Sequence, residues 1–206
     1  MSDEHGDVGG AVVRARAARF CGRFGLRVPI LQAPMAGACP AGLAAAVASA
    51  GGMGGLGALL TAPERIAAWA KEFRDQSNGS FQINLWVPDP PPTRNAESEA
   101  RVRDFLAQWG PPVPPEAGDT APLDFGRQCD ALLAAAPPVV SSIMGLFPER
   151  TVAQFKARGI AWFACATTLA EARAAEAAGA DAIVAQGSEA GGHRGAFDAA
   201  AAERHQ

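Results

Sequence analysis

The chain has 206 residues, of which 49% are hydrophobic and 19% are charged, a composition typical of one globular domain with a sizeable core. Its net charge of −3 at pH 7 argues against nucleic acid as a partner, because backbone phosphates require a basic surface. The sequence contains no apolar run long enough to cross a bilayer. The acidic start MSDEHGD is unlike a secretory signal, so we expect a cytoplasmic protein.

A short apolar run, a Gly- or Pro-containing loop and an Ala-rich helical segment recur along the chain, which is typical of βα units with a parallel sheet. A leading amphipathic helix is predicted around VVRARAARF. Strands are then predicted at Val28–Gln32, Met53–Leu59, Phe81–Val87, Val139–Ile143, Ile160–Cys165 and Asp181–Ala185. Helices are predicted at Ala41–Ala50, Ala62–Gln76, Glu149–Arg158 and Leu169–Ala178.

These elements predict an α/β fold of the TIM (β/α)8-barrel type that is incomplete, with about six βα units. A closed barrel needs eight units and typically about 250 residues, whereas this sequence ends where a sixth helix is expected to begin. We treat residues 1–206 as a single domain. The segment 88–138, after the third strand, is far longer than an ordinary βα connection, and we predict that it is an inserted lid or substrate segment over the carboxyl ends of the strands. A solvated linker is the alternative.

Two segments rich in small residues have different interpretations. PILQAPMAG, Pro29–Gly37, ends a predicted strand in small residues, which let backbone groups approach a flat ring closely; an ordinary turn is the alternative. SAGGMGGLGA, Ser49–Ala58, lies between a helix and the following strand, which is the wrong context for a phosphate-binding loop. We therefore predict a helix C-cap at Gly51 and Gly52, and close packing at the other glycines.

Two amides and a histidine are expected at the carboxyl ends of strands. Asn84 and Gln186 can each donate to and accept from the edge of a flat ring such as a flavin. Beyond Gln186, the pair Gly191–Gly192 leaves backbone N–H groups bare for an anion. His193 follows, and an imidazole in this place is suited to general base catalysis on a weak carbon acid. A plain surface histidine is the alternative.

Four cysteines are scattered along the chain without any metal-ligand spacing: Cys21, Cys39, Cys129 and Cys165. We expect small buried thiols in a reducing compartment and no metal site.

Together and in this order, four segments resemble the nitronate monooxygenases, formerly called 2-nitropropane dioxygenases: QAPMAG, SAGGMGGLGA, the Asn84 segment FQINLWVPDP and AQGSEAGGHRG. The resemblance extends from about Phe20 to the end of the chain, and ATTLAEARAAEAAGADAIVAQG is similar to the family's fifth and sixth units. It implies an FMN-dependent oxidoreductase in which O2 oxidises alkyl nitronates or nitroalkanes to a carbonyl compound and nitrite.

Carried over by position, the resemblance implies that His193 is the catalytic base, which takes the α-proton of a nitroalkane or orients a nitronate. It also implies FMN contacts from the first loop, the two strand-end amides and the glycine pair, namely Ala33, Pro34, Met35, Asn84, Gln186, Gly191 and Gly192.

Two departures from the family pattern stand out. Where family members often read VSFHFG or VSFTFG, this sequence reads VSSIMG, so Ile143 would replace a polar active-site residue. The family's seventh and eighth units have no counterpart, and the open strand edges predict poor solubility or dimerisation. Two alternatives remain open. One is a related flavin barrel reductase of the enoyl-acyl-carrier-protein or NAD(P)H:quinone type, which would need reduced nicotinamide. The other is an inactive remnant.

Overall fold

The computed structural model describes residues 7–91, 93–119 and 122–200. The strands are β1 (Gly54–Gly57), β2 (Phe81–Trp86), β3 (Val139–Ile143), β4 (Ala161–Ala166) and β5 (Ala182–Ala185). The helices are α1 (Asp7–Phe24), α2 (Ala41–Ser49), α3 (Pro63–Gln76), α4 (Ala96–Leu106), α5 (Phe125–Ala135), α6 (Glu149–Ala157) and α7 (Leu169–Ala177), with a short 3-10 helix at Pro115–Asp119. The strands form one parallel sheet in the order β1-β2-β3-β4-β5. Successive parallel βα units in sequence order confirm the predicted incomplete barrel.

The prediction of a first strand at Val28–Gln32 is wrong, because the structure forms no regular strand there. The segment and the loop after it form isolated parallel bridges instead of a ladder, from Leu31 to Met53, just before β1, and from Ala36 to Gly57. Pro29 has no N–H to donate, and the Ile30 N–H donates back to the Val28 carbonyl at 2.9 Å, which bends the chain. The segment still runs parallel to β1 and places the first loop at its carboxyl end.

The predicted insertion contains a helix that belongs to the barrel wall. This helix, α5, lies at the end of the insertion and packs against α3. It buries one of its own faces, which includes Cys129 and Leu132. The buried Gln128 side chain donates to the carbonyls of Ala58 and Thr61, both at 3.0 Å, and so ties α5 to the loop after β1. The sequence did not predict α5 separately, because Pro-rich stretches precede and follow it. By contrast, α4 has no buried residue.

Side chains on the two faces of the sheet form separate apolar clusters. The larger lies between the sheet and α2–α7 and includes Phe73, Phe155 and Trp162. The smaller lies on the inner face, where α1 closes the amino-terminal end of the barrel. There the rings of Phe24 and Phe163 meet edge to face, with centroids 5.1 Å apart. The leading helix predicted from sequence is confirmed, and its role is to cover the inner face.

The glycine-rich run acts as predicted. Gly51, at φ +96°, follows the last turn of α2, and the Gly52 N–H donates to the Val47 carbonyl at 3.1 Å, which ends the helix. A Cβ at Gly54 would lie 2.6 Å from the Ala44 carbonyl oxygen, and one at Gly57 would lie 2.8 Å from that of Pro34. The glycines therefore let α2 and the first loop approach β1 closely.

All four cysteines are buried free thiols, as predicted. Burial raises the pKa of Cys129 to about 12, helped by the nearby Asp130 and Asp124 charges. Within the described ranges, no helix is both long and apolar enough to span a membrane.

Asp181 joins three elements just before β5. It accepts hydrogen bonds from Arg23 of α1 at 2.8 Å, from Lys156 of α6 and from the Trp162 N–H at 2.9 Å. Partial burial raises the pKa of Asp181, but these donors lower it more, so the net shift is downward. A carboxylate whose folded-state pKa lies below its unfolded value stabilises the fold above the unfolded pKa, about 3.9. That stabilisation is lost as pH falls through the folded value.

We predict that Asp181→Asn lowers the free energy of unfolding by about 1–2 kcal/mol at neutral pH, because three donors lose a charged acceptor. The difference from wild type should shrink as pH falls below about 4. Urea unfolding at several pH values measures both effects. The control is Asp75→Asn, which breaks the exposed Lys71–Asp75 pair and should cost about 0.5 kcal/mol or less. Equal losses in the two variants at neutral pH would contradict the prediction.

Candidate functional site

The candidate site lies at the carboxyl edge of the sheet. Alternation along β2 directs Gln82, Asn84 and Trp86 to the inner face, because successive side chains of a strand point to opposite sides. Asn84 pairs in register with Ser141 of β3, and Trp86 pairs with Ile143. The inner face therefore changes from the apolar cluster at its amino-terminal end to polar and aromatic side chains where the strands end.

Side-chain amides, of which that of Gln82 is buried, attach the first loop to the sheet. The Gln32 side-chain oxygen accepts from the Gly55 N–H at 3.2 Å, and the Gln82 amide donates to the Gln32 carbonyl at 3.1 Å. On the next pair of strands, the Asn84 amide donates to Ser141 Oγ at 3.1 Å. Gln32, Gln82 and Ser141 were not singled out from the sequence, because isolated polar residues within strands give no motif.

The first loop closes around the Cys39 thiol. Cys39 Sγ accepts from the Met35 N–H at 3.2 Å and lies 3.5 Å from the Ala33 carbonyl oxygen. Ala33 and Met35 are exposed, Pro34 is half-buried, and Cys39 itself is buried. The loop thus presents small residues and backbone to the carboxyl edge of β1, next to the strand that bears Asn84.

His193 lies against Trp86. Their ring centroids are 4.8 Å apart in an edge-to-face arrangement with an interplanar angle of 70°. His193 follows β5, whereas Trp86 ends β2, so the segment around His193 crosses the ends of β3 and β4. Trp86 was not predicted, although its place at the end of the third strand was a usable signal.

The side-chain amide of Gln186 makes two hydrogen bonds to the segment that carries His193. Its Nε2 donates to the His193 carbonyl at 2.9 Å, and its Oε1 accepts from the Gly195 N–H at 2.7 Å. Gln186, predicted as a flavin contact, therefore also binds the loop backbone on both sides of Arg194. Gly191 and Gly192 are exposed, and Gly192 has φ +82°.

The chain packs tightly below His193. A Cβ at Gly195 would lie 2.8 Å from Ile143 Cγ1 and 3.2 Å from Cys165 Sγ. Burial, followed by the nearby Glu171 charge, raises the pKa of the Cys165 thiol. Ile143, which stands where family members often have a polar residue, therefore lies beneath the loop at the floor of the site.

We predict that Gly195→Ala destabilises the protein by about 1–3 kcal/mol, because the added methyl group overlaps Ile143 and the loop has no room to accept it. Thermal or urea unfolding measures the loss. Gly191→Ala is the matched control, since a Cβ there meets no atom within 4 Å. Equal stability of the two variants would show that the loop is not packed as described.

A parallel α/β barrel sheet with a histidine-bearing loop across its carboxyl edge defines a barrel-type enzyme scaffold, because active sites of such barrels lie at this edge. The family model described as "Nitronate monooxygenase" matches residues 19–206. The chain belongs to the nitronate monooxygenase family.

Similar proteins agree with this assignment. A nitronate monooxygenase from Pseudomonas aeruginosa is 39% identical over 87% of this chain and 53% of its own length. One from Paraburkholderia phytofirmans is 38% identical over 85% of this chain and 49% of its own length. The chain therefore spans about half the length of these curated relatives.

Solved structures show the same likeness. A nitroalkane oxidase from Streptomyces ansochromogenes superposes with a TM-score of 0.74 at 33% identity, over 87% of this chain and 52% of that one. FabK from Thermotoga maritima superposes with a TM-score of 0.63 at 26% identity, over 85% of this chain and 45% of that one.

Proposed function

We propose that this chain carries the histidine half of an FMN-dependent nitronate monooxygenase site, with His193 as the catalytic base. The observation that carries the proposal is the contact of His193 with Trp86, the last residue of β2, at the carboxyl edge of the sheet. His193 lies within the GGHRG segment on which the resemblance to this family depends. The proposed substrates are an alkyl nitronate or nitroalkane and O2.

The residues at this edge fit a flat cofactor on one side. The exposed backbone of the first loop at Ala33, Pro34 and Met35 can lie against a ring without side-chain bulk, and the Asn84 carboxamide lies on the neighbouring strand. Gly191 and Gly192 offer open backbone at the opposite side. Bound FMN would supply the electron-accepting chemistry of the oxidation.

The chain's own residues supply proton transfer and positioning. The imidazole of His193 would take the proton from the carbon that bears the nitro group, or would hold an anionic nitronate once protonated. The edge-to-face contact with Trp86 limits rotation of the imidazole. Ile143 gives the floor an aliphatic surface, so it would contact the alkyl part of a substrate and not its nitro oxygens.

We predict that His193→Ala lowers the rate of nitroalkane oxidation by about 10²–10⁴-fold, the range of general base catalysis. Nitrite release measures this rate. Visible absorbance of flavin bound to the variant serves as the control for cofactor retention. Full activity in His193→Ala would exclude His193 as the base. A wild-type chain that binds flavin but does not oxidise nitronates would contradict the proposed activity itself.

A related flavin barrel reductase, the alternative left open by the sequence, is the second candidate, although FabK superposes less closely than the nitroalkane oxidase does. Such an enzyme would reduce its bound flavin with a nicotinamide. Rapid bleaching of the flavin by NADH or NADPH in the absence of O2 distinguishes it from the nitronate monooxygenase proposed above.

We further propose that residues 1–206 act as one domain and that the exposed part of the segment after β2 covers the site as a lid or substrate segment. α4 and the following turn expose large apolar side chains, among them Phe105 and Trp109, whose rings pack at a centroid distance of 6.2 Å. The Arg94 guanidinium joins Glu99 and Asp119 across this segment, which fixes α4 to the 3-10 helix.

We propose an oligomer formed through the open strand edges in a cytoplasmic protein; four buried free thiols are compatible with a reducing compartment. β5 pairs with β4 on one side only within the described part of the chain, and Ile183 and Val184 are partly exposed. Unpaired edges of this kind favour pairing with another chain.

We predict that size-exclusion chromatography with light scattering gives a mass of at least twice 21.1 kDa. Ile183→Lys on the exposed edge should shift the protein toward the monomer, because a charged edge side chain opposes pairing. Leu60→Lys, at an exposed position in the turn after β1, is the control. A monodisperse wild-type monomer would contradict the proposed oligomer.

A further inference from the structure

The segment that carries His193 has no helix or strand of its own between Gly187 and Asp198. Its geometry therefore depends on side chains from neighbouring elements. We propose that Glu171, the third residue of α7, is a positioning residue for His193: its carboxylate holds the segment at Phe197, while Gln186 holds it at His193 and Gly195. The inference rests on the proposed function of His193, which it deepens.

The two carboxylate oxygens of Glu171 have separate tasks. Oε2 accepts from the Thr167 N–H at 2.7 Å, from the Thr167 hydroxyl at 2.8 Å and from the Thr168 N–H at 3.2 Å. Together with the bond from the Glu171 N–H to Thr168 Oγ1 at 3.1 Å, this forms a capping box at the start of α7. Oε1 points away from the helix and accepts from the Phe197 N–H at 2.8 Å.

Only the second task requires a carboxylate. A capping box works equally with glutamine, since one side-chain oxygen suffices to cap the helix. An ionised carboxylate, however, accepts at both oxygens, so it can cap α7 and hold Phe197 simultaneously. The choice of glutamate therefore points to the bond with the loop.

The anchors fall on alternate residues of the loop. Gln186 binds the His193 carbonyl and the Gly195 N–H, and Glu171 binds the Phe197 N–H. Ala196, between the last two anchors, is buried. Three backbone attachments within five residues leave the His193 side chain directed at Trp86. Loss of the Phe197 attachment leaves the carboxyl-terminal side of the histidine held by Gln186 alone.

The charge state of Glu171 supports these contacts. Partial burial raises its pKa, but hydrogen bonds from Phe197, Thr167 and Thr168 outweigh burial, so the net pKa is lowered. The carboxylate is thus ionised at neutral pH, as an acceptor of four hydrogen bonds must be.

Glu171→Gln separates the two tasks. Three donors from Thr167 and Thr168 face one side of the group and one donor from Phe197 faces the other, so the amide oxygen should turn toward the threonines. The NH2 group then faces the Phe197 N–H and cannot accept from it. Thr168→Ala is the matched control, because it removes the cap on the Glu171 N–H and leaves both carboxylate oxygens in place.

The loop itself provides a readout that does not depend on flavin or activity. The chain has four tryptophans, and Trp69 and Trp162 are buried whereas Trp109 is 77% exposed. In a Trp109→Phe background, Trp86 is the partly exposed tryptophan, and His193 covers it. We expect the acrylamide quenching constant to rise about twofold or more in Glu171→Gln and to stay unchanged in Thr168→Ala. Adding Trp86→Phe should abolish the response.

Amide hydrogen exchange gives a second readout. In Glu171→Gln, peptides that contain Phe197 should exchange about tenfold faster or more, as expected on loss of a charge-assisted hydrogen bond. In enzyme that oxidises nitronates, the same variant should lower kcat by about tenfold without an equal rise in KM, because the base is displaced and not removed. Thr168→Ala should keep both constants.

These outcomes separate the inference from the proposed function. Faster exchange and stronger quenching in Glu171→Gln alone would support the anchor even if wild-type protein oxidised no nitronate. Unchanged exchange and quenching in Glu171→Gln, or equal changes in Thr168→Ala, would overturn the anchor whatever the activity.

Discussion

The structure at the carboxyl ends of the strands depends on hydrogen bonds to backbone groups that the sheet itself does not pair. Buried N–H and C=O groups need partners, and two segments at this edge, residues 31–36 and 187–198, do not pair as regular strands. Side-chain amides and one carboxylate replace the missing ladder. Gln32 and Gln82 attach the first segment, and Gln186 and Glu171 attach the second. The site is therefore held by long polar side chains, of which Gln82 belongs to β2 and Glu171 to α7.

Along each strand, the residues that stabilise the fold and the residues of the candidate site lie at opposite ends. The amino-terminal half of the inner face is apolar and is covered by α1, where Phe24 packs on Phe163. The carboxyl-terminal half carries Asn84, Trp86 and the loop with His193. Because α1 covers the amino-terminal end of the barrel and buries apolar side chains there, the carboxyl-terminal end can carry polar groups, which add less hydrophobic stabilisation. The same division is general among barrels of this type.

Much of the fold was predictable because its signals are local. Apolar runs that alternate with Ala-rich helices predicted all five strands within a few residues, and the proline that begins α3 marks that helix. The failures were non-local. Pro29 lies inside an apolar run, so nothing in the sequence shows that Ile30 bonds back to Val28. α5 lies among prolines, and its burial depends on α3, which is distant in sequence.

The sequence predicted several residues of the site, but it did not predict which residues they contact. The glycine pair beside His193 marks the loop, but the contact between His193 and Trp86 joins residues more than a hundred positions apart. An amide such as Gln186 can bind either a ring or a backbone, and only the structure shows which groups occupy it. Glu171 was predicted only as part of a helix, because its hydrogen bond from the Phe197 N–H joins residues 26 positions apart and leaves no pattern in the sequence.

Gly195 has an evolutionary consequence. Its backbone does not lie in the left-handed region that favours glycine, so its small size is imposed by the neighbouring Ile143 and Cys165 and not by the main chain. Such a constraint can be lifted from the other side only in part. A shorter side chain at position 143 would remove the 2.8 Å overlap but leave Cys165 Sγ and Gln186 Oε1 each 3.2 Å from a methyl group at position 195, so a larger residue there requires change at several neighbours together.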